Sequence, residues 1–251
     1  MVKRVVKKIR PGKGFAHFFH LSLVAILPIL VYVFVRLEFF TVALAIILLS
    51  KWRMFAVRPR HWLAHIRTNA VDIIVGLSLL SFMIASDTMA MQLLWLGLYE
   101  LWVLYIKPGS STILIALQAL LAQFAGLVAV FLSFEQASSS VYILSAVAIA
   151  YFSARHFFAV FEEEHALTFA WLWGFFAGCL IWILSHFIIF YGVIAQPALL
   201  LSVIGYGLAG LYYLGETDKL SVMVRRQIMF VVLAIVIVSV AMSVIRTPII
   251  R

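Results

Sequence analysis

Long apolar runs separated by short polar connections dominate the pattern of this 251-residue chain. The run 228–238, for example, is apolar at every position. A strand of a membrane β-barrel would instead alternate apolar and polar residues. A spanning helix needs about 20 apolar residues, and about 17 to 25 are tolerated. Because backbone groups in lipid must bond within their own segment, we predict an all-α transmembrane helical bundle.

Eight or nine runs qualify as spans, and nine is the preferred number. Phe39–Phe55 and Val71–Ala85 are short, and Val71–Ala85 could instead dip into the membrane and return. Residues 1–14 form a basic segment and residues 15–251 a single membrane domain. The nine predicted spans are Phe15–Val35, Phe39–Phe55, Val71–Ala85, Met89–Ile106, Thr112–Phe134, Ser140–Val160, Leu167–Phe190, Pro197–Leu214 and Ile228–Val244.

The longest connection, at about residues 56–70, is basic and amphipathic. Arg60 and Arg67 lie one heptad apart, while Trp62 falls on another face. This pattern predicts a short helix in the cytoplasmic interface. The stretch Arg53–Arg67 could bind anionic lipid, or it could only supply the positive charge that orients the chain.

Composition and charge support a membrane location. Hydrophobic residues make up 65% of the chain, and charged residues only 12%. The net charge is +9, and with a cytoplasmic amino terminus and nine spans all but three of the 19 Lys and Arg residues are cytoplasmic. The exceptions are Arg36, Arg246 and Arg251. This asymmetry predicts a plasma (inner) membrane protein with an external carboxyl terminus, and it accounts for the basic charge without nucleic acid.

Polar residues inside predicted spans are the first functional candidates, because each is costly in lipid unless it is paired or hydrated. Glu100 lies six residues before Ile106, and Gln118 lies at a similar depth in the next span. We expect Glu100 to meet Gln118 or the deeper Gln123. The three could bind a proton or cation, or they could only hold two helices together.

A second candidate is the acidic turn between the sixth and seventh spans. Glu162 and His165 have an ExxH spacing, and His156 and Glu163 lie seven residues apart, so each pair shares a helical face. Di-iron sites use two such motifs, whereas this chain has one, so no metal is predicted. The turn either serves an interfacial enzyme or pairs with the basic stretch.

Two further structural expectations concern helix ends and helix packing. Asp72 is expected to cap the start of the third span, where its charge favours the helix N-terminus. Small residues at four-residue spacing let membrane helices approach closely, either within the monomer or against a partner subunit or second copy. These packing residues are Ala146, Ala150, Ala154, Gly174, Gly178, Gly205 and Ala209.

The chain carries no phosphate-cradling glycine loop, nucleophile elbow or intramembrane lysine for a Schiff base. The sequence therefore predicts a non-enzymatic membrane component with the lipid bilayer as its main partner and no cofactor. The alternatives are a small transporter or channel that uses Glu100 and an interfacial enzyme that uses Glu162–His165.

Overall fold

The computed structural model describes residues 15–52, 58–134, 137–186 and 188–246. Within these ranges the regular secondary structure is helical except for one short hairpin, and its elements follow in chain order. They are α1 (Phe15–Arg36), α2 (Phe40–Leu49), α3 (Trp62–Ile84), α4 (Met89–Leu101), α5 (Thr112–Ser133), α6 (Ser139–Ala159), α7 (Ala166–Leu184), β1 (Phe190–Tyr191), β2 (Ile194–Ala195), α8 (Gln196–Glu216) and α9 (Val222–Arg246). A 3₁₀ turn, Pro59–His61, precedes α3, and α4 continues as a π-helix through Trp102–Ile106.

Seven described helices are long and apolar enough to cross a bilayer, which makes this chain a multi-pass membrane protein. They are α3 through α9, with α4 counted to Ile106. Ser22–Arg36 of α1 and the whole of α2 are apolar but shorter. The all-α prediction is confirmed, and the two-residue strands β1 and β2 form the hairpin that connects α7 to α8.

Contacts between neighbouring helices show that the chain alternates in direction. Arg36, at the end of α1, bonds to Gln92 near the start of α4. Lys51, just after α2, instead pairs with Asp72, which also pairs with Lys107 after α4. We call these two sides of the bundle the Gln92 end and the Lys107 end.

The predicted span Phe39–Phe55 is wrong in its length. The helix covers only Phe40–Leu49, about 15 Å of rise against a hydrocarbon core of about 30 Å. It nevertheless carries the chain from the Gln92 end to the Lys107 end. The Lys51 side chain that follows it is only 12% exposed and pairs with Asp72. Arg53 lies outside the described residues.

The predicted interfacial helix at about residues 56–70 is also wrong. From Trp62 onward these residues are the first turns of α3, which continues without a break to Ile84. The side chains of Thr68 and Asn69 donate hydrogen bonds to carbonyl groups four residues back, so these polar groups are satisfied on the helix itself. The short span predicted at Val71–Ala85, with a dip into the membrane as its alternative, is thus the later part of a 23-residue helix. Residues 53–57 lie outside the described part.

Two groups of buried side chains form the core. One group lies among the four helices from α1 through α4 and includes Val31, Val75 and Met83. The other group lies among the four helices from α5 through α8 and includes Leu127, Ala150 and Leu201. Helix α9 packs on α8, and the Gln196 amide and the Tyr191 hydroxyl both donate to the Ser239 carbonyl. The second group positions the candidate site.

Candidate functional site

A cavity of about 610 Å³ lies between α5, α6, α7 and α8. Along α8 it extends from Ile204 to Tyr212, about 12 Å of helix rise. It occupies the half of the bundle nearer the Lys107 end, because Tyr212 lies four residues before the end of α8. Its lining is Ala119, Leu120, Gln123, Ser153, Ala154, Phe157, Phe158, Phe169, Leu172, Trp173, Phe176, Ile204, Gly205, Leu208, Ala209 and Tyr212.

Aromatic rings that pack on each other form much of the wall. Trp173 and Phe176 stack with ring centroids 5.4 Å apart. Phe158 and Tyr212 meet edge to face at 5.1 Å. Such pairs are favourable arrangements of rings, and they hold the wall in shape. The cavity is therefore bounded by side chains that support one another.

Small residues on α6 and α8 leave the space open. Ala154, Gly205 and Ala209, which the sequence predicted to pack helices, all line the cavity. A Cβ atom at Gly205 would come within 2.6 Å of the Gln123 amide nitrogen and 3.1 Å of the Trp173 ring. The absence of a side chain at Gly205 thus lets Gln123 and Trp173 lie directly against α8.

The other small residues pack α7 on α6. Added Cβ atoms at Gly174 and Gly178 would lie 3.2 Å from the Val147 carbonyl and 2.7 Å from the Val147 side chain. Ala146 and Ala150 are fully buried in the second core group. These four positions make contacts within one chain.

Gln123 holds three helices together at the cavity. Its amide nitrogen donates to the Leu201 carbonyl on α8 at 3.0 Å. Its amide oxygen accepts from the Trp173 indole on α7 at 2.7 Å. Both ends of the side chain are therefore satisfied, and its orientation is determined.

Ser153 differs from Gln123, because its hydroxyl is buried with no hydrogen-bond partner in the part of the chain that the structure describes. The residue is 2% exposed and lines the cavity. The hydroxyl of Ser202 on α8 is likewise buried and unpartnered, but Ser202 is not part of the lining. A polar group buried in this way is costly unless something bonds to it.

The predicted acidic turn borders the Tyr212 side of the cavity. Glu163 accepts a short hydrogen bond from the Tyr212 hydroxyl and another, at 3.2 Å, from the His165 backbone. These two bonds hold the pKa of the Glu163 carboxyl below its ordinary value. Glu162 adopts a left-handed backbone conformation, with φ 53°. In the described chain no group of three or more His, Cys, Asp or Glu could hold a metal ion.

The structure does not bring the predicted polar trio together. Gln118 donates to the Ile106 carbonyl at 2.6 Å, and its oxygen lies 3.0 Å from His156. Gln123 bonds to α7 and α8 as described above. Both carboxyl oxygens of Glu100 are buried without a hydrogen-bond partner among the described residues. The hydrogen bond between His156 and Gln118 joins α6 to α5, and His156 takes no part in the hydrogen bonds of Glu163.

Sequence reasoning missed a charged cluster centred on Asp72. This residue lies ten positions inside α3, so it is not the expected helix cap. Lys51 and Lys107 both pair with its Oδ2 atom, and the Trp102 indole donates to Oδ1 at 3.0 Å. Burial lowers the pKa of Lys51, although the Asp72 carboxylate opposes this shift. Lys51 lies in one segment, Trp102 and Lys107 in a second and Asp72 in a third, so no local motif marks the cluster.

The basic stretch predicted to meet anionic lipid is only partly described. Arg58, Arg60 and Arg67 are exposed. They lie on the same side of the bundle as Lys51 and Lys107, since α3 begins there. Anionic lipid binding at this stretch stays a prediction.

Comparison with protein-family models, with curated proteins and with solved structures gives no match to this chain.

Proposed function

We propose that this multi-pass membrane protein is a non-enzymatic membrane component that binds a lipophilic molecule in the α5–α8 cavity. The cavity itself is the observation that carries the proposal. Its volume of about 610 Å³ falls within the usual range for ligand pockets, about 300–1,000 Å³. Such pockets are mostly apolar and contain a few placed polar groups. Gln123, Ser153 and Tyr212 are those groups in this lining.

The position of the cavity supports entry from the bilayer. Its extent of about 12 Å along α8 is less than half of a hydrocarbon core of about 30 Å. An occupant dissolved in the leaflet at the Lys107 end can therefore reach it without crossing the membrane. Helix α7 packs closely on α6 and makes few contacts with α8. A lipophilic molecule would therefore enter the cavity from the lipid through the gap between α7 and α8.

The chemistry of the lining supports binding over catalysis. The residues that form it include no acid, base, histidine or cysteine. General acid–base and nucleophilic mechanisms most often use those residue types, although serine and tyrosine can also take part. No histidine or carboxylate stands beside Ser153 in the lining, and its hydroxyl has no hydrogen-bond partner among the described residues. The geometry thus supports a role in holding a molecule.

The test is to fill the cavity and measure what co-purifies with the protein. Ala209→Phe places a ring in the cavity, and Ala154→Phe does so from α6. Ala241→Phe is the matched control, because Ala241 is exposed on α9 and is not part of the lining. Organic extracts of each purified protein are compared by mass spectrometry.

We expect a lipophile that is retained by wild type and Ala241→Phe and lost from both cavity variants. Unfolding temperatures in detergent show whether each variant is folded. Identical extracts from all four proteins would refute the proposal.

A second function, transport of protons or cations, is supported by Glu100. A carboxyl with both oxygens buried and unpartnered in a spanning helix is a functional candidate. Proteoliposomes with an entrapped pH dye test it. A transporter should move protons in wild type and lose this activity in Glu100→Gln, which folds normally. Equal proton flux in both proteins would exclude this role for Glu100.

A further inference from the structure

The unused hydroxyl of Ser153 indicates what kind of molecule the cavity takes. Gln123 bonds at both ends, and the Tyr212 hydroxyl bonds to Glu163. Among the described lining residues, this leaves the Ser153 hydroxyl as the side-chain polar group without a partner. A serine in a spanning helix commonly bonds to a carbonyl group on its own helix, as Ser78 does with Ile74. Ser153 is therefore available to a ligand.

The depth of Ser153 separates its contact from the headgroup region. It lies six residues before Ala159, which is about 9 Å along the helix from the Lys107 end of α6. A ligand oxygen that bonds to Ser153 must therefore lie within the hydrocarbon region, below the level of the lipid headgroups. A charged group is unfavourable at that depth, because the lining offers no opposite charge.

The shape of the walls favours a flat occupant. Six aromatic side chains line the cavity, namely Phe157, Phe158, Phe169, Trp173, Phe176 and Tyr212. Aromatic rings pack well against the faces and edges of other rings. Flexible chains can also fill such a space, but they lose more conformational freedom when they are held.

We infer that the ligand is an uncharged, lipophilic ring compound whose carbonyl or hydroxyl oxygen bonds to Ser153. This inference rests on the proposed function, since it specifies the molecule that the α5–α8 cavity holds. The hydroxyl of Ser153 donates to the ligand oxygen, and the aromatic wall contacts the ring. Specificity between related lipophiles then depends on one hydrogen bond inside an apolar site.

Two probes of nearly equal shape test the inference. 1-Tetralone carries a ring carbonyl, and tetralin is the corresponding hydrocarbon. Dissociation constants for both are measured by calorimetry on purified protein in detergent. The variants are Ser153→Ala, Ser153→Thr, which keeps a hydroxyl, and Ala209→Phe, which fills the cavity. Ser202→Ala is the matched control, because it removes a buried, unpartnered hydroxyl outside the lining.

We expect Ser153→Ala to weaken tetralone binding by about two- to tenfold, the range for loss of one hydrogen bond. Tetralin binding should stay unchanged. Ser153→Thr should keep the preference for tetralone, Ser202→Ala should behave as wild type, and Ala209→Phe should weaken both probes. Wild-type-like tetralone binding by Ser153→Ala would overturn the role of Ser153 and leave the cavity intact as a binding site. If wild type binds neither probe, or Ala209→Phe binds both normally, the inference and the proposed function both fail.

Discussion

The Lys107 ammonium lies 2.7 Å from the Oδ2 atom of Asp72, which joins the end of the α4 segment to the interior of α3. Lys51 pairs with the same oxygen from the end of α2. A carboxylate in a spanning helix is costly unless it is paired. This cluster therefore explains how three polar residues are accommodated at one end of the bundle.

Replacement of Asp72 should destabilise the protein. Asp72→Asn keeps an acceptor for the Trp102 indole but leaves the lysines without a counter-charge. Loss of one partner from a buried ion pair costs about 3–5 kcal/mol, so we expect the unfolding free energy to fall by about 3 kcal/mol. Denaturant unfolding in detergent measures it. Asp87→Asn, an exposed site at the Gln92 end, is the control and should be neutral.

Replacement of Lys107 should have a smaller effect. Its side chain is 39% exposed, compared with 12% for Lys51. An exposed pair contributes about 0–1 kcal/mol, so Lys107→Gln should lower stability by less than about 1 kcal/mol. Lys51→Gln should cost more in the same unfolding experiment. The opposite order would show that Lys107 is the principal partner of Asp72.

Gln123 should stabilise the contact between α5, α7 and α8. We expect Gln123→Leu to lower the unfolding free energy by about 1–2 kcal/mol, the upper range for hydrogen bonds between membrane helices. Trp173→Phe removes the donor to the same amide, so the double variant should lose less than the sum of the two single changes. Gln227→Leu, at an exposed site on α9, is the control. Additive losses would show that the two residues act independently.

Glu163 should make stability depend on pH in the acid range. Its pKa is lowered in the folded protein by bonds from Tyr212 and the His165 backbone. A carboxyl with a lowered folded pKa stabilises the fold above its unfolded pKa, which is about 4.3. That contribution is lost as the pH falls through the folded pKa.

The measurement is the unfolding temperature of wild type and Glu163→Gln from about pH 7 to about pH 3, and the difference between the two proteins should shrink as the pH falls. Glu164→Gln, a change in the exposed neighbour, should follow the wild-type curve throughout. A constant difference between wild type and Glu163→Gln at all pH values would contradict a role for the ionised carboxyl.

The two termini should lie on opposite sides of the membrane. The described helices alternate in direction, and α1 and α9 both run toward the Gln92 end. The excess of Lys and Arg predicts that the amino terminus is cytoplasmic. Reporter fusions at both ends should therefore give opposite signals, with the carboxyl terminus outside. Two reporters on the same side would show that α2 does not complete a crossing.

The sequence alone was enough to predict a helical membrane protein and to locate most spans. Thr112–Phe134, for example, differs from α5 only at its last residue. This success has a local cause, because transfer of a segment into lipid depends on its own apolar content and length. The same reliance on local content misplaced the boundaries of α2 and α3. The apolar helix α2 ends earlier than its sequence predicts, and α3 begins earlier because the polar stretch before it is also helical.

Only the tertiary structure decided which polar residues meet. Glu100 and Gln118 have similar depths in neighbouring spans and Gln123 lies deeper, yet each of the three lies in a different environment. Asp72 finds partners at positions 51, 102 and 107, and the cavity forms where residues of four helices come together. Lipid tails are as apolar as the helix surfaces, so apolar patterning does not select neighbours. Side-chain shape and hydrogen bonds between distant segments select them, and these appear only once the helices are packed.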